Sequence, residues 1–169
     1  MFLDFKAGFD CLNPKILDQR LEIYKVGIHT RAWIRNFLSN RTHYISSGNE
    51  VWSGNKINDG TDQGRKLSCL LFLIYTSEAN TLINHVARNI GLRSIGESFL
   101  YVDDSITVIE APSKNQLKER VKIFTMEYER WANSNELANS TEKPQIMTNF
   151  ISKPKEEYTI CGFNVQAKK

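Results

Sequence analysis

Two adjacent aspartates, Asp103 and Asp104, lie between two short apolar segments that favour β-strands. Neighbouring carboxylates repel each other, and burial raises the free-energy cost of their charge. Asp-Asp is also an uncommon hairpin turn, because Asn-Gly or Asp-Gly fits the required backbone better. Such departures from local preference tend to mark functional sites, and a divalent cation would remove the repulsion. From spacing alone, a metal-binding pair and an ordinary exposed acidic turn are equally supported.

Mg²⁺ suits a carboxylate pair of this kind. It is a hard ion that keeps several waters and is held by one or two carboxylates together with substrate phosphates. Two such ions can polarise an attacking 3′-hydroxyl and stabilise a leaving pyrophosphate. Asp4 ends an apolar segment at the N-terminus and is the next candidate, although nothing in the local sequence shows that it meets Asp103.

The composition is that of an ordinary globular chain. The 169 residues are 41% hydrophobic and 24% charged, which argues against wholesale disorder. The net charge of +3 is compatible with nucleic acid but too small to argue for it. The longest apolar run, Leu67 to Tyr75, covers about half of the roughly 20 residues that a membrane helix needs, and no signal peptide is visible. We therefore expect an intracellular protein that is not secreted and does not bind membranes.

The cysteines and tryptophans favour structural roles. Cys11, Cys69 and Cys161 lie far apart without metal-ligand spacing, so we expect small buried hydrophobic side chains. The tryptophans are expected in the core or at an interface rather than as platforms for nucleobases: Trp33, Trp52 and Trp131.

The first part of the chain is predicted to form two helices and a hairpin. Asn13 caps a helix over residues 14–26, and a second helix begins after Thr30. A hairpin follows, with its loop at residues 47–49, and residues 54–60 form a polar connection.

The remainder begins with a predicted buried helix from Lys66 to His85, whose apolar residues recur at three-four spacing. Residues 98–109 form the hairpin that carries the aspartate pair. Ser113 begins a capping box for a further helix, and two strands, 146–151 and 158–165, close the chain. This order predicts an α+β fold, with a largely antiparallel sheet packed by helices on one face.

Segments along nearly the whole chain, from residue 2 to about 165, resemble the palm motifs of reverse transcriptases from non-LTR retrotransposons (LINE-type, jockey-like). In chain order they are Leu3-Asp4-Phe5 through Phe9-Asp10 to Asn13, Phe37-Leu38-Ser39-Asn40-Arg41, Gly60-Thr61-Asp62-Gln63-Gly64, Tyr101-Val102-Asp103-Asp104, Trp131-Ala132-Asn133 leading to Lys143, and Cys161-Gly162-Phe163. Each motif alone is weak, but their shared order and spacing make a chance match improbable.

The resemblance implies a polymerase palm that copies RNA into DNA. It would transfer deoxynucleotides to a primer 3′-hydroxyl with two Mg²⁺ ions, Mn²⁺ being an alternative. Asp4, Asp103 and Asp104 would be the metal-binding catalytic residues. The implied partners are an RNA template, a DNA primer and a deoxynucleoside triphosphate, and the implied setting is a retroelement ribonucleoprotein in the nucleus or cytoplasm.

The same resemblance implies further site residues. Phe9 would lie under the incoming sugar and exclude a 2′-hydroxyl. Gln63 and Gly64 would line the nucleotide and template site, with Lys143 assisting the leaving pyrophosphate. The implied primer contacts are Tyr101, Gly162 and Phe163.

By this resemblance residues 1–169 are one truncated palm region. Its implied parts are the first palm motif and helix (1–29), a finger-like helix and hairpin (30–60), the central palm motifs (61–145) and the primer-contact strands (146–169). The family's fingers should precede Asp4 and its thumb should follow Phe163, so most of both is expected to be missing.

Two other interpretations stay open. An inactive retroelement relic with at most weak nucleic-acid binding is favoured by Asp62, Arg65 and Cys69, which stand where the family has Pro, Ser and Pro. The intact aspartates and Phe9 oppose it. A different metal-dependent phosphoryl-transfer enzyme, such as a nuclease, is disfavoured by the order of the motifs.

Overall fold

The computed structural model describes residues 1–140, 145–148, 157–160 and 163–168. They form a mixed helix and mainly antiparallel sheet architecture, as the sequence predicts. The chain divides into two compact units, one of Met1–Ala7 with Thr76–Lys169 and the other of Gly8–Tyr75. In chain order the elements are β1 Phe2–Asp4, α1 Pro14–Ile23, α2 Ile28–Leu38, β2 Arg41–Ser47, β3 Glu50–Ile57, α3 Lys66–Thr76, α4 Ala79–Asn89, β4 Gly96–Tyr101, β5 Asp104–Ile109, α5 Lys114–Ser134, β6 Ile146–Met147, β7 Glu157–Ile160 and β8 Phe163–Lys168.

Helix α1 begins where its sequence predicts. Asn13 Oδ1 accepts hydrogen bonds from the backbone N–H groups of Lys15 at 2.8 Å and Ile16 at 3.4 Å, which satisfies donors that the first turn leaves unpaired. Helix α2 begins at Ile28 rather than after Thr30, because Gly27 takes the N-cap position. The predicted start of α2 was therefore wrong by one turn.

The predicted hairpin is confirmed, with Gly48 and Asn49 as its turn and Ser47 opposite Glu50. Its second strand continues to Ile57, so residues 54–57 are strand rather than polar connection. The error has a physical cause. β2 is exposed over most of its length, so strands of this hairpin can carry polar side chains, and a polar segment does not indicate a loop here.

The single helix predicted from Lys66 to His85 is wrong. The chain forms α3 and α4 here, with a turn at Ser77 and Glu78 between them. The apolar spacing continues through this break, which is why periodicity did not reveal it. The fully or nearly fully buried apolar side chains of the two helices are Leu71, Phe72, Tyr75, Ala79, Ile83, Val86 and Ala87.

The unit of Met1–Ala7 with Thr76–Lys169 is built on a three-stranded antiparallel sheet in the order β1-β5-β4. Helices α4 and α5 pack against this sheet and against each other. Ser113 caps α5 by accepting a hydrogen bond from the N–H of Gln116 at 3.4 Å. The predicted apolar stripe of α5 is buried throughout: Leu117, Val121, Phe124, Tyr128 and Trp131.

A second small sheet in this unit has the order β6-β8-β7, with β6 parallel to β8 and β7 antiparallel to it. The strand predicted over 158–165 is therefore parts of two strands, β7 and β8. The strand predicted over 146–151 is seen as Ile146–Met147, and residues 149–151 lie outside the described residues. In the described part of the chain, no helix is both long and apolar enough to span a membrane.

Candidate active site

Three strand ends meet at one edge of the β1-β5-β4 sheet. Asp4, the last residue of β1, lies directly opposite Asp104, the first residue of β5. Asp104 in turn lies opposite Tyr101, the last residue of β4. Directly opposed residues in antiparallel strands project from the same face, with Cβ atoms about 4.5–5.5 Å apart. Two carboxylates and a phenol therefore form one row across the sheet, called the carboxylate row below.

The strand alternation of β1 decides which way Asp4 points. Leu3 and Phe5 are buried, and the Phe5 ring stacks on Tyr128 of α5 with centroids 6.0 Å apart. Since successive strand residues project to opposite faces, Asp4 points away from α5. Asp4 is itself 9% exposed, whereas Asp104 is open to solvent.

Backbone hydrogen bonds fix the other side of β1. The N–H of Ser140 donates to the Asp4 carbonyl at 2.8 Å, and the N–H of Lys6 donates to the Ala138 carbonyl at 2.8 Å. Phe2 and Gln145 exchange two further hydrogen bonds, at 2.8 and 3.2 Å. β1 is thus paired on both sides, which leaves the Asp4 backbone little freedom.

The turn of the β4–β5 hairpin consists of Val102 and Asp103, not of the two aspartates. The two acids were therefore wrongly taken together as the tip, because Asp104 already pairs with Tyr101. Val102 has φ +58° while Asp103 does not have a positive φ, the pattern of a type II′ turn. A β-branched residue is strained in this region, and such strain is typical of functional sites.

The carboxylate row offers the oxygen ligands that Mg²⁺ prefers. Among the described residues, no three His, Cys, Asp or Glu side chains lie close enough together to hold a metal ion, so half-buried Asp103 does not complete such a group with Asp4 and Asp104. Two carboxylates fit an ion whose remaining ligands are waters and substrate phosphates, rather than one enclosed by protein.

A groove of about 440 Å³ opens beside the carboxylate row, and both carboxylates line it. The next row along the sheet is apolar, with Phe2 opposite Ile106 and Phe99 on the other side of Ile106. All three side chains are exposed. The open face of the sheet therefore has an acidic edge next to an apolar floor.

Other predicted nucleotide-binding residues lie in the Gly8–Tyr75 unit. The Phe9 ring is half-buried and stacks on Phe72 of α3 with centroids 4.9 Å apart, and its carbonyl accepts a hydrogen bond from the N–H of Thr61 at 2.8 Å. Gln63 and Gly64 are exposed in the loop before α3, where Gly64 has φ +87°. The Phe9 ring is thus held in position, and Gln63 is accessible.

Arg41 supports this loop, a role that the sequence analysis missed. Its Nη2 donates to the carbonyls of Asp59 at 2.8 Å and Gly60 at 2.6 Å, and its Nε donates to the carbonyl of Leu38 at 3.0 Å. Arg41 belongs to one of the recognised motifs, but its partners Asp59 and Gly60 lie well beyond any local spacing rule. The motif was the only signal that could have indicated the role.

Gly60 also stabilises the loop before α3, a role that the sequence did not reveal. It has φ +77°, and a Cβ at this position would lie 2.8 Å from the carbonyl oxygen of Asp10. Its own N–H donates to the carbonyl of Leu12 at 2.7 Å. The close approach of the two loops therefore requires glycine.

Asp62 and Arg65, which the sequence resemblance marks as departures from its motif, interact with each other. Asp62 Oδ2 pairs with Arg65 Nε at 3.0 Å, and Asp62 Oδ1 pairs with Arg41 Nη1 at 3.3 Å. The Arg65 guanidinium also lies 6.0 Å from the centre of the Phe37 ring. These residues therefore form one connected network in the loop before α3.

Some sequence expectations were wrong or fall outside the described residues. Cys11 and Cys69 are half-buried rather than buried. Trp131 is buried in the core, as one of the two expected placements requires, but Trp33 and Trp52 are 56% and 49% exposed and lie outside it. For these two the expected interface stays a prediction. Tyr101, a predicted primer contact, is 80% exposed. Lys143, Cys161 and Gly162 lie outside the described residues, as does the side chain of Phe163.

Comparison with known proteins identifies the family. A search of curated protein sequences finds no significant match. The family described as reverse transcriptase (RNA-dependent DNA polymerase) matches residues 1–165, which include the carboxylate row, Phe9 and the loop that Arg41 supports. The architecture of helices and antiparallel sheet is consistent with part of such a domain. Because the match covers nearly the whole chain, this protein belongs to the reverse transcriptase family.

Proposed function

We propose that this chain is the palm of an RNA-directed DNA polymerase from a non-LTR retrotransposon. It would work with fingers and thumb segments of the same polyprotein, within an intracellular ribonucleoprotein. The observation that carries the proposal is the opposition of Asp4 and Asp104 at one sheet edge. Membership of the reverse transcriptase family supports it.

Asp4, Asp103 and Asp104 are proposed to hold Mg²⁺. Asp4 and Asp104 are direct ladder partners, and Asp103 lies in the adjoining turn. When bound, the metal supplies charge neutralisation at the triphosphate and activation of the primer 3′-hydroxyl. Asp4 is anchored by strand pairing on both sides of β1, and Asp104 is exposed towards the solvent from which a nucleotide would arrive. One carboxylate is therefore rigid and the other accessible.

Phe9 is proposed to select deoxynucleotides. Its ring is stacked on Phe72 and its backbone is tied to Thr61, so a sugar next to it would meet a fixed apolar surface. A 2′-hydroxyl against that surface would lose hydrogen bonds to water without replacement. Tyr101, exposed at the end of the carboxylate row, is proposed to contact the primer.

The inactive relic remains the competing proposal. It rests in part on Asp62 and Arg65, which the sequence resemblance marks as departures from the motif. These two residues are joined by an ion pair at 3.0 Å, so the loop before α3 accommodates both without a structural conflict.

Primer extension on an RNA template decides between the two. The protein tested should contain this chain with its proposed fingers and thumb, and the reaction should contain Mg²⁺ and deoxynucleotides. Extension is expected for the unchanged protein and is abolished by Asp104→Asn. Glu97→Gln is the matched control, since Glu97 is an exposed carboxylate on the same sheet face but away from the carboxylate row. An unchanged protein that incorporates no nucleotide would establish the relic.

A further inference from the structure

Helix α2 carries a pair of stacked aromatic side chains, of which Trp33 is exposed and Phe37 is half-buried. Trp33 and Phe37 are one helical turn apart, so they share a face of α2. Their ring centroids are 5.6 Å apart with an angle of 16° between the planes. Trp33 is 56% exposed, which leaves much of the indole in contact with solvent.

Arg65 adds a cation to this aromatic pair. Its guanidinium lies 6.0 Å from the centre of the Phe37 ring, within cation–π range. The side chain is 62% exposed but is held by the ion pair with Asp62 at 3.0 Å.

The ion-pair network that reaches the aromatic pair through Arg65 has a net positive charge. Asp62 is shared between Arg41 and Arg65, so this network carries one more positive than negative charge. Lys66 follows Arg65 in the sequence and is exposed. A purely apolar partner would leave the exposed guanidinium unpaired. A polyanion that presents flat aromatic groups would contact both the aromatic rings and the guanidinium.

We propose that Trp33, Phe37 and Arg65 form a stacking platform for bases of single-stranded nucleic acid, called the stacking platform below. Exposed aromatic rings bind bases through their π-faces, and arginine contributes both stacking and attraction to phosphate. Within the same unit, Arg65 lies two positions after the exposed Gln63. If the proposed polymerase function holds, the strand bound here is the unpaired template.

Binding of a fluorescein-labelled oligouridylate of about 10 nucleotides, followed by anisotropy without metal or nucleotide, tests the platform. Trp33→Ala should weaken binding roughly 5- to 150-fold, and Trp33→Phe should restore most of the affinity. Arg65→Ser should weaken binding about two- to fivefold. Trp52→Ala, which removes the other exposed tryptophan, should leave the affinity unchanged.

An abasic strand of the same length separates stacking from attraction to the backbone. Trp33→Ala should not change the affinity for this abasic strand. An equal loss on both strands, an equal effect of Trp52→Ala, or no binding of oligouridylate by the unchanged chain would overturn the proposal. So would a dimer, detected by sedimentation, that Trp33→Ala dissociates, because the surface would then serve self-association.

This assay contains no catalytic step, so failure of primer extension would not affect it. The template assignment has its own test. In primer extension, Trp33→Ala should raise the template concentration needed for half-maximal rate while leaving the rate at saturating template unchanged. If that concentration does not change, the strand bound at the stacking platform is not the template.

Discussion

Asp4 and Asp104, which are distant in sequence, are direct partners in the ladder between β1 and β5. Both side chains project from the face of the sheet opposite to α5, so two like charges face each other across neighbouring strands. Their repulsion lowers the free energy of unfolding in the absence of a cation. A cation bound between the two carboxylates would remove this repulsion.

Replacing one member of this pair should therefore stabilise the metal-free chain. We expect Asp104→Asn to raise the free energy of unfolding by about 0.2–1 kcal/mol, because like charges directly opposite in a sheet repel by this order. Urea unfolding at low ionic strength with a chelator present measures it. Glu97→Gln, which faces Val108, should have no such effect. Equal stabilisation by both substitutions would show that the effect is only one of net charge.

The same pair should dominate binding of divalent ions. Asp4→Asn and Asp104→Asn should each weaken Mn²⁺ binding at least about tenfold in the presence of a deoxynucleoside triphosphate, since each removes a charged oxygen ligand. Electron paramagnetic resonance of free Mn²⁺ follows the titration. Glu97→Gln should bind as the unchanged chain does. If Asp104→Asn retains full affinity, the carboxylate row is not the metal site.

Local sequence patterns predicted those elements whose determinants are local. Asn13 and Ser113 cap their helices as expected, and the buried stripe of α5 follows the predicted spacing. The prediction of a single helix over 66–85 was wrong because the apolar face continues across the turn at Ser77. Periodicity reports which face is buried, not whether the backbone hydrogen bonds are continuous.

The site could be predicted only in part because its contacts are long-range. Motif recognition pointed to Asp4 and Asp104, but the ladder register that opposes them is set by tertiary pairing, which no local pattern contains. The same holds for Arg41, because two of its carbonyl partners, Asp59 and Gly60, follow an entire hairpin later. The turn residues were misassigned because Val102 has a backbone conformation that its side chain disfavours.

Val102 should store measurable strain. An L-residue at a positive φ such as +58° costs about 1–2 kcal/mol, whereas glycine accepts it. After subtraction of the greater entropy of glycine in the unfolded chain, Val102→Gly is expected to stabilise by up to about 1 kcal/mol, measured by urea unfolding. Val51→Gly, at an exposed strand position without positive φ, should destabilise instead. Destabilisation by both would mean that the Val102 backbone is not strained.

Arg41 should be a major source of stability in the Gly8–Tyr75 unit. Its side chain is 14% exposed and donates to the carbonyls of Leu38, Asp59 and Gly60. Arg41→Ala leaves these acceptors to be solvated, so we expect a loss of about 2–3 kcal/mol in urea unfolding. Arg35→Ala is the control, since Arg35 is 51% exposed and pairs with Asp18, and it should cost less than about 1 kcal/mol. Similar losses for the two variants would contradict a special role for Arg41.

Alanine substitutions at Gly60 and Gly64 distinguish the cost of a positive φ from the cost of a steric clash with neighbouring backbone. Both have positive φ, +77° and +87°, so alanine at either position carries a conformational cost of about 1–2 kcal/mol. Only at Gly60 would the new Cβ also meet backbone, 2.8 Å from the Asp10 carbonyl oxygen, while Gly64 has nothing within 4 Å. Gly60→Ala should therefore destabilise by about 3 kcal/mol or more in urea unfolding and Gly64→Ala by less than 2 kcal/mol. Backbone atoms cannot rotate away as a side chain can. Equal losses would therefore mean that the loop at residues 60–61 does not lie against residues 9–12 in solution.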